Sequence, residues 1–330
     1  MIFQSTPENI KFAARILQEG DLVGFPTETV YGLGANAYDE QAVRKIFQAK
    51  GRPFEDPLIV HVDSIDKIKE VAIVKDSSEL EAKISQLQIF WPGPLSVILP
   101  KRHSIPDVVT AGRNTVAVRI PNHPVALELI RIADVPIAAP SANPFGYVSP
   151  TTAQHVHDNF GKSLRVILDG GSCTVGVESS VLDLTTTPPK LLRPGGATLE
   201  ELQLVIGPIK SFTPTNHKSD ISLSPGLSDK HYSPRTKLLL YEDLSDDLRG
   251  KKLGLIQFSR SRDVEAASFQ HKIVLSPVGN LSEVAAKLYA AIRKLDLLGL
   301  DAIVVESCEN KGIGRAIMDR LTRAACDSEH

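Results

Sequence analysis

One stretch of this sequence, from about residue 208 to residue 234, interrupts an otherwise steady alternation of short apolar segments and amphipathic helices. Pro, Ser, Thr, Asn and Gly dominate the stretch, which is typical of a linker. The interruption divides the chain into two units, and the length of 330 residues agrees with two domains of roughly 150 residues each. We therefore predict a domain over residues 1–208, a linker over 209–236 and a smaller domain over 237–330.

The first unit alternates strands and helices irregularly, which favours an α/β fold built on a sheet with mixed pairing. Its first helix begins after the capping hydroxyl of Thr6, with Pro7 at the first helical position, and ends at Gly20. Short apolar runs predict strands at residues 22–25, 58–62, 96–99, 115–120, 136–139, 165–168 and 180–184. Helical spacing of apolar residues predicts helices at 40–50, 76–86, 124–132 and 150–159.

The second unit also alternates strand-like and helix-like patterns of apolar residues, over a shorter stretch of the chain. Strands are predicted at residues 237–241, 252–258, 271–276 and 302–307, with helices at 281–298 and 314–325. We expect a small three-layer α/β domain. The sequence Gly312-Ile313-Gly314 could be half of a dinucleotide fingerprint, but Ile317 occupies the third glycine position, which favours a tight turn.

Charge and composition exclude several classes of protein. The 37 basic and 39 acidic residues leave a formal net charge of −2, so any anion site must be built locally. Three cysteines lie far apart without a CxxC spacing, which indicates reduced thiols. The longest uncharged run, residues 135–157, contains four prolines and cannot be a membrane helix. Because the N-terminus also lacks a signal-peptide pattern, we expect a soluble cytoplasmic protein.

Basic and hydroxyl side chains cluster at the predicted ends of strands, where α/β folds bind ligands. Lys50 and Arg52 bracket a glycine and suit a polyphosphate, although a helix C-terminus favours the same residues without any ligand. Arg119 lies in an otherwise apolar strand and therefore needs an anionic partner, either protein or ligand. The other candidates are the glycine-containing segment 26–35, Ser141 and Asn143 after one strand, Ser149 as the expected cap of the helix 150–159, the run Glu178-Ser179-Ser180, and Arg193.

His61 ends a buried strand as a lone histidine, which is more often structural than catalytic. No HxxxH, HExxH or Cys/His cluster accompanies it, so we do not expect a structural zinc. His155 and His157 are two residues apart on a predicted helix and make a poor metal pair. The sequence also contains neither a Ser-His-Asp order nor a GxSxG elbow.

Taken in order, these segments resemble the YrdC/Sua5 family. The family signature joins Lys-x-Arg to Ser-x-Asn, present here as Lys50/Arg52 and Ser141/Asn143. Residues 225–234 and 314–321 resemble the two-domain Sua5 branch, so the resemblance covers nearly the whole chain. It implies a YrdC-like twisted mixed sheet followed by a Rossmann-like Sua5 C-terminal domain.

The resemblance implies threonylcarbamoyl-AMP synthase activity, in which L-threonine, bicarbonate or CO2, and ATP give threonylcarbamoyl-AMP and pyrophosphate. By matching position, it assigns L-threonine to Thr29, His61, Arg119, Ala139 and Ser179. It assigns ATP to Arg52, Asp56, Thr115, Ser141, Asn143, Ser149, Arg193 and Tyr232, with Lys50 and Arg52 as the catalytic cations. Mg²⁺ is expected with ATP, held by phosphate oxygens and water, and no protein metal site is expected beyond it.

The implied product would serve the threonylcarbamoyl modification of adenosine 37 in tRNAs that read codons beginning with A. The expected partners are the three substrates and the threonylcarbamoyl transferase machinery that acts on tRNA. A weak contact of this chain with tRNA stays open, and no membrane partner is expected. The linker, with Tyr232, is expected to close over the cleft as a lid. The second domain could steady that lid or dock the receiving enzyme.

The residue types suit this chemistry. A carbamate oxygen attacks the α-phosphorus and expels pyrophosphate, which needs positioning and charge neutralisation rather than a protein nucleophile. The alternative is an RNA-binding or ribosome-associated module that uses the same concave face, with salt-sensitive RNA affinity and no ATP turnover. The acidic charge balance and the lack of an aromatic RNA-reading motif favour the enzyme.

Overall fold

The computed structural model describes residues 1–74, 77–211, 231–244, 248, 250–260 and 269–326. These residues form one sheet of eleven strands and one of four, each accompanied by helices, which confirms the predicted α/β class. Most of the predicted linker, residues 212–230, lies outside the described residues.

The large sheet is formed by the first unit together with residues 210–211 of the predicted linker. Its strands are β1 (Ile2–Gln4), β2 (Val23–Phe25), β3 (Gly32–Asn36), β4 (Ile59–His61), β5 (Leu95–Pro100), β6 (Thr115–Arg119), β7 (Ile137–Ala138), β8 (Val166–Asp169), β9 (Ser180–Asp183), β10 (Lys190–Arg193) and β11 (Lys210–Ser211). The helices of the first unit are α1 (Pro7–Gln18), α2 (Glu40–Lys50), α3 (Ile65–Val71), α4 (Ser78–Leu87), α5 (Asp107–Thr110), α6 (Pro124–Ala133), α7 (Ala153–Phe160) and α8 (Leu199–Ile206).

The order of strands in the large sheet is β1-β8-β2-β3-β7-β4-β6-β5-β9-β10-β11, with parallel and antiparallel pairs. β4 and β6 are parallel, so His61 lies opposite Arg119 at their carboxyl ends. β5 runs antiparallel to β6 and places Ser96 opposite Arg119, while its other neighbour, β9, begins with Ser180 opposite Leu95. The mixed pairing therefore brings the ends of β4, β6 and β9 together at one place.

The second unit contains β12 (Lys237–Leu240), β13 (Leu253–Gln257), β14 (Phe269–Val274), α9 (Leu281–Asp296), β15 (Ala302–Val305) and α10 (Ile313–Ala325). Its four strands are all parallel, in the order β12-β15-β13-β14. Helices α9 and α10 bury their apolar residues against strand side chains that include Ile256, Ile303 and Val305. Val304 lies on the opposite face of the sheet from Ile303 and Val305 and packs with Leu255 there. This is the alternation of side chains expected along a strand.

The ends of α2 follow directly from its sequence. The Asp39 side chain accepts hydrogen bonds from the backbone N–H groups of Gln41 and Ala42, which caps the helix at its start. Gly51 takes a left-handed conformation with φ of 62° and ends it. The predicted bounds of this helix are confirmed, and the reversal at Gly51 turns Arg52 back toward the sheet.

The predicted start of α7 is wrong. Ser149 does not cap it, and Pro150 is not its first residue, because the helix begins at Ala153 with Thr152 as its N-cap. The Thr152 hydroxyl accepts the backbone N–H of His155, while the Ser149 hydroxyl donates instead to Glu178 Oε1 at 2.6 Å. Serine and threonine both cap helices well. Because the Ser149 hydroxyl is bonded to Glu178, Thr152 is the residue that caps α7.

The two units share a buried interface. Val30, Val148 and Val177 of the first unit belong to the same apolar cluster as the core of the second. At its edge the hydroxyl of Tyr147 donates to Asp296 Oδ2 at 2.7 Å. The second unit therefore packs on the first through a continuous apolar core with polar bonds around it.

Gly176 lies where this interface is tightest, and its replacement tests the packing. Its φ is 77°, and a Cβ atom there would lie 2.3 Å from the carbonyl oxygen of Ala285 in α9. Gly176→Ala should therefore lower the free energy of unfolding by about 2–4 kcal/mol through left-handed strain and overpacking. Gly171→Ala is the matched control, because Gly171 has φ of 82° and no atom within 4 Å of the added Cβ. Equal losses in urea unfolding of the two variants would contradict the tight interface.

No helix in the described ranges of the chain combines the length and the apolar character needed to cross a bilayer.

Candidate active site

A cavity opens where the ends of β4, β6, β9 and β10 meet the loops after β2 and β7, and its atom-free space, including the part open to solvent, is about 550 Å³. Its lining residues are Thr27, Thr29, Val30, Gly32, Arg52, Ile59, His61, Arg119, Ala139, Pro140, Ser141, Glu178, Ser179, Arg193, His231 and Tyr232. Most of them are polar or charged, which suits a polar ligand.

Arg119 is fixed at the end of β6 by one ion pair and two hydrogen bonds. Its Nη2 pairs with Glu28 Oε1 at 2.7 Å, its Nη1 donates to Thr29 Oγ1 at 2.8 Å, and its Nε donates to the carbonyl of Gly93 at 3.2 Å. The anionic partner that the sequence required is thus the Glu28 carboxylate. Because the guanidinium cannot rotate away, it presents a preoriented fork to the cavity.

His61 lies beside Arg119 and is buried. Burial and the neighbouring Arg119 charge lower the pKa of the imidazole to about 3. Its Nδ1 lies 3.3 Å from the carbonyl oxygen of Ile137. At neutral pH the ring is therefore neutral, so it contributes hydrogen-bonding capacity to the cavity and no positive charge.

This lowered pKa predicts a loss of stability in acid. An unfolded histidine titrates near pH 6.5, so between that pH and about 3 the unfolded chain binds a proton that His61 in the folded chain does not. The free energy of unfolding should fall as pH decreases through this window, with His61 contributing at most about 1.4 kcal/mol per pH unit. His61→Gln should flatten the dependence measured by urea unfolding from about pH 6.5 to about pH 5. His103→Gln, at an exposed position, is the control, and equal slopes in both variants would contradict the assignment.

Arg193 and Ser179 form a second fixed pair. Arg193 Nη2 donates to the backbone carbonyl of Ser179 at 2.9 Å and to its hydroxyl at 3.2 Å. The Ser179 hydroxyl also bonds to the Ser96 hydroxyl at 2.8 Å. Gly195 allows this closeness, since a Cβ atom there would lie 2.3 Å from the backbone of Ser179 and Ser180. The turn after β10 thus packs directly on the residues that begin β9.

Arg52 and Lys50 take different positions. Arg52 lines the cavity, pairs with Asp56 Oδ2 at 2.8 Å and donates to the carbonyl of Pro57 at 2.9 Å. Lys50 does not line the cavity, and its Nζ donates to the backbone carbonyls of Ser141, at 2.6 Å, and Asn143. Burial lowers the pKa of Lys50 well below its usual value. Lys50 therefore helps to hold the turn that presents Ser141, and a Lys50→Ala variant would lose these two hydrogen bonds together with any direct role.

His231 and Tyr232 close one side of the cavity. Their rings are in edge contact at 4.0 Å, and Tyr232 stacks on Tyr289 of α9 at 6.0 Å. Within the described part of the chain, neither His231 Nδ1 nor the Tyr232 hydroxyl has a hydrogen-bond partner although both are buried. Buried polar atoms without partners are costly, so a polar ligand in the cavity would satisfy them. The closing motion of the predicted lid stays a prediction.

Glu178 is the carboxylate of the cavity wall. Burial alone would raise its pKa, but Arg320, Arg193 and the hydrogen bond from Ser149 outweigh burial and hold the pKa at about 2. Its Oε2 accepts from Arg320 Nε at 2.7 Å and from the Tyr289 hydroxyl at 3.0 Å. Glu178 therefore stays ionised and is bound by residues of both units.

Guanidinium groups outnumber carboxylates in the lining of the cavity. Arg52, Arg119 and Arg193 line it, whereas Glu178 is the one carboxylate among the described lining residues. The lining therefore presents more positive than negative groups, which favours an anionic ligand.

The structure brings together nine of the predicted site residues as cavity lining. These are Thr29, His61, Arg119, Ala139 and Ser179 of the threonine set, and Arg52, Ser141, Arg193 and Tyr232 of the ATP set. The predicted residues outside the lining are Lys50, Asp56, Thr115, Asn143 and Ser149. Asp56 pairs with Arg52, and Ser149 bonds to Glu178, so both lie directly behind the wall. Thr115 begins β6, on the same strand face as Arg119.

Seven of the lining residues are given no role by the sequence, namely Thr27, Val30, Gly32, Ile59, Pro140, Glu178 and His231. Four of the seven lie in candidate segments, because Thr27, Val30 and Gly32 belong to residues 26–35 and Glu178 to the run that ends at Ser180. Tyr289 contacts Glu178 from the middle of α9, where an aromatic residue gives only the signal of a helix core.

The donors around the cavity do not form a metal site of their own. Within the described ranges there is no group of three or more His, Cys, Asp or Glu side chains arranged to hold a metal ion. The nearby carboxylates of Asp56 and Glu178 are paired with Arg52 and Arg320.

Two family models match consecutive parts of the chain. The model of the Sua5, YciO and YrdC proteins, described as "Telomere recombination", matches residues 15–195. The model described as "Threonylcarbamoyl-AMP synthase, C-terminal domain" matches residues 197–326.

Individual relatives match over nearly the full length. A threonylcarbamoyl-AMP synthase of Pyrococcus abyssi is 44% identical over 96% of this chain and 94% of its own. One of Bacillus subtilis is 41% identical over 95% and 92% of the two chains. A crystal structure of P. abyssi Sua5 complexed with L-threonine superposes with a TM-score of 0.87 and 41% identity, covering 98% of this chain and 97% of that one.

Proposed function

This chain belongs to the Sua5/YrdC family in its two-domain form, and from that membership we propose that it is a threonylcarbamoyl-AMP synthase, a nucleotidyltransferase. The reaction joins L-threonine, bicarbonate or CO2, and ATP into threonylcarbamoyl-AMP with release of pyrophosphate. The observation that carries the proposal is the cavity itself, which is lined by three guanidinium groups and by one carboxylate among the described residues.

Arg119 is the proposed anchor of the threonine carboxylate. Its fork is held in place by Glu28, Thr29 and Gly93, so binding costs little side-chain entropy. His61, Ala139 and Ser179 complete the pocket around it. The structure of the P. abyssi relative with L-threonine supports this half of the proposal.

The proposed ATP site lies on the side of the cavity with Arg52, Ser141, Arg193 and Tyr232. Arg52 and Arg193 carry the charge that a triphosphate requires, and Lys50 and Asn143 support the turn with Ser141 behind them. Asp56 and Ser149 lie behind the cavity wall, where Asp56 pairs with Arg52 and Ser149 donates to Glu178. Mg²⁺ bound to the phosphates would supply further charge neutralisation there.

The chemistry needs only substrates and positioning. The neutral threonine amine either attacks CO2 and releases a proton, or attacks bicarbonate and releases water, and both routes give a carbamate. A carbamate oxygen then forms a bond to the α-phosphorus while the bond from that phosphorus to the pyrophosphate oxygen breaks. The guanidiniums stabilise the negative charge that moves onto the leaving pyrophosphate. His61 is neutral and adds no positive charge near the amine.

The proposed place of this product is before a transferase that moves the threonylcarbamoyl group to tRNA. The cytoplasm is the proposed compartment, because ATP and tRNA are found there. Whether this chain itself contacts tRNA is an outcome of the test below rather than part of the proposal.

The experiment is a pyrophosphate-release assay with the full chain, Mg²⁺ and ATP, with threonine and bicarbonate omitted in turn. We expect release only when both are present. ATP turnover that is indifferent to threonine and bicarbonate would contradict the proposal. Absence of turnover combined with salt-sensitive RNA binding would support the RNA-binding alternative instead.

A further inference from the structure

We propose that Arg320 of the second unit is a positioning residue for the reaction, which sets the geometry of Ser179 and Arg193 in the cavity of the first unit. The inference rests on the proposed function and names a task for the second unit. Arg320 lies on α10 and is only 1% exposed.

Arg320 bonds to both segments that carry these two lining residues. Its Nε donates to Glu178 Oε2 at 2.7 Å, one residue before Ser179. Its Nη2 donates to the carbonyl of Pro194 at 3.0 Å, one residue after Arg193. One rigid guanidinium thus connects the start of β9 to the end of β10, and the planar fork fixes the distance between them.

Further contacts leave Arg320 and Glu178 little freedom. Asp319 pairs with Arg320 Nη1, and the Arg320 guanidinium lies over the Tyr232 ring at 5.0 Å from its centre. Ser149 and Tyr289 both donate to Glu178. The buried ion pair is therefore well bonded on both sides, and removing one partner would leave a buried charge behind.

The ion pair between Arg320 and Glu178 is not the sole ion pair that joins the two units in the described part of the chain. Arg315, five residues earlier on α10, also bridges the units, through an ion pair with Glu200 of α8 at 2.8 Å. Neither Arg315 nor Glu200 lines the cavity. Arg315 is therefore a matched control for an ion pair that joins the units without touching the site.

The test compares Arg320→Lys, Arg320→Met and Arg315→Met in the full chain, by thermal unfolding, steady-state kinetics and calorimetric titration with L-threonine. Lysine keeps the charge beside Glu178, so Arg320→Lys should fold. It cannot make both bonds of the fork, and we expect kcat to fall about 10-fold or more and threonine affinity to weaken. Arg320→Met should lower kcat and threonine affinity further than Arg320→Lys does. Arg315→Met should stay within about twofold of wild type in kcat.

The inference would be overturned if Arg320→Lys kept the kcat and threonine affinity of wild type. It would also be overturned if all three variants lost activity only in proportion to their folded fraction. A wild-type protein that binds threonine but makes no adenylate would contradict the proposed function, and the calorimetric comparison of the same variants would still decide the role of Arg320.

Discussion

Arg119→Lys should lower kcat/KM for L-threonine about 100-fold or more, because two charge-assisted hydrogen bonds of roughly 1.5–3 kcal/mol each depend on the guanidinium fork. Lysine preserves a positive charge opposite the Glu28 carboxylate, so the buried ion pair is not left with an uncompensated charge. One ammonium cannot bond to Glu28, Thr29 and a substrate carboxylate in the same geometry. The measurement is steady-state adenylate formation with threonine varied at saturating ATP and bicarbonate.

Arg131→Lys is the matched control for this variant. Arg131 also pairs with a glutamate, Glu128, but both side chains are exposed at the surface of α6. Exposed pairs of this kind contribute about 1 kcal/mol or less, so its kinetics should equal those of wild type. Threonine kinetics of Arg119→Lys that match those of the control would remove Arg119 from the threonine site.

Arg52→Ala should lower kcat about 100-fold, the size of effect seen when a preorganised donor to a developing negative charge is removed. The fold should survive. Burial already raises the pKa of Asp56 and Arg52 opposes that rise, so without Arg52 the carboxyl group can take up a proton and become neutral. The measurement is pyrophosphate release at saturating substrates, with circular dichroism to confirm folding.

The control for this variant lies on α2, the helix that ends two residues before Arg52. Arg44 forms an exposed ion pair with Glu40 in α2, so Arg44→Ala should leave kcat unchanged. If Arg52→Ala turned over as fast as Arg44→Ala, the charge balance of the cavity would no longer explain catalysis.

Local sequence signals predict elements that depend on local bonds. The cap at Asp39 and the left-handed Gly51 define α2 within the chain itself, and both of its predicted ends are confirmed. Strand β3 was missed, because Gly32 and Gly34 give it little strand propensity. The strand forms because it pairs with β2 and β7, where Cβ atoms at these glycines would meet Phe25 and Ile137.

The predicted parts of the site also depend on local sequence signals, whereas the missed parts depend on contacts between distant parts of the chain. Most of the residues that line the cavity from the first unit lie at or near the ends of strands, a position that the apolar pattern indicates, while Arg52 follows the end of α2. Arg320 and Tyr289 reach Glu178 from more than a hundred residues away in sequence. No local period encodes that contact, because it depends on how the two units pack together.

The central claim, that the cavity joins threonine, bicarbonate and ATP, is tested most directly by mass spectrometry of the product formed from carbon-13 bicarbonate. The account predicts an adenylate that contains threonine and one labelled carbon, and that disappears when threonine or bicarbonate is left out. An adenylate without the label, or ATP consumption without any adenylate, would contradict it.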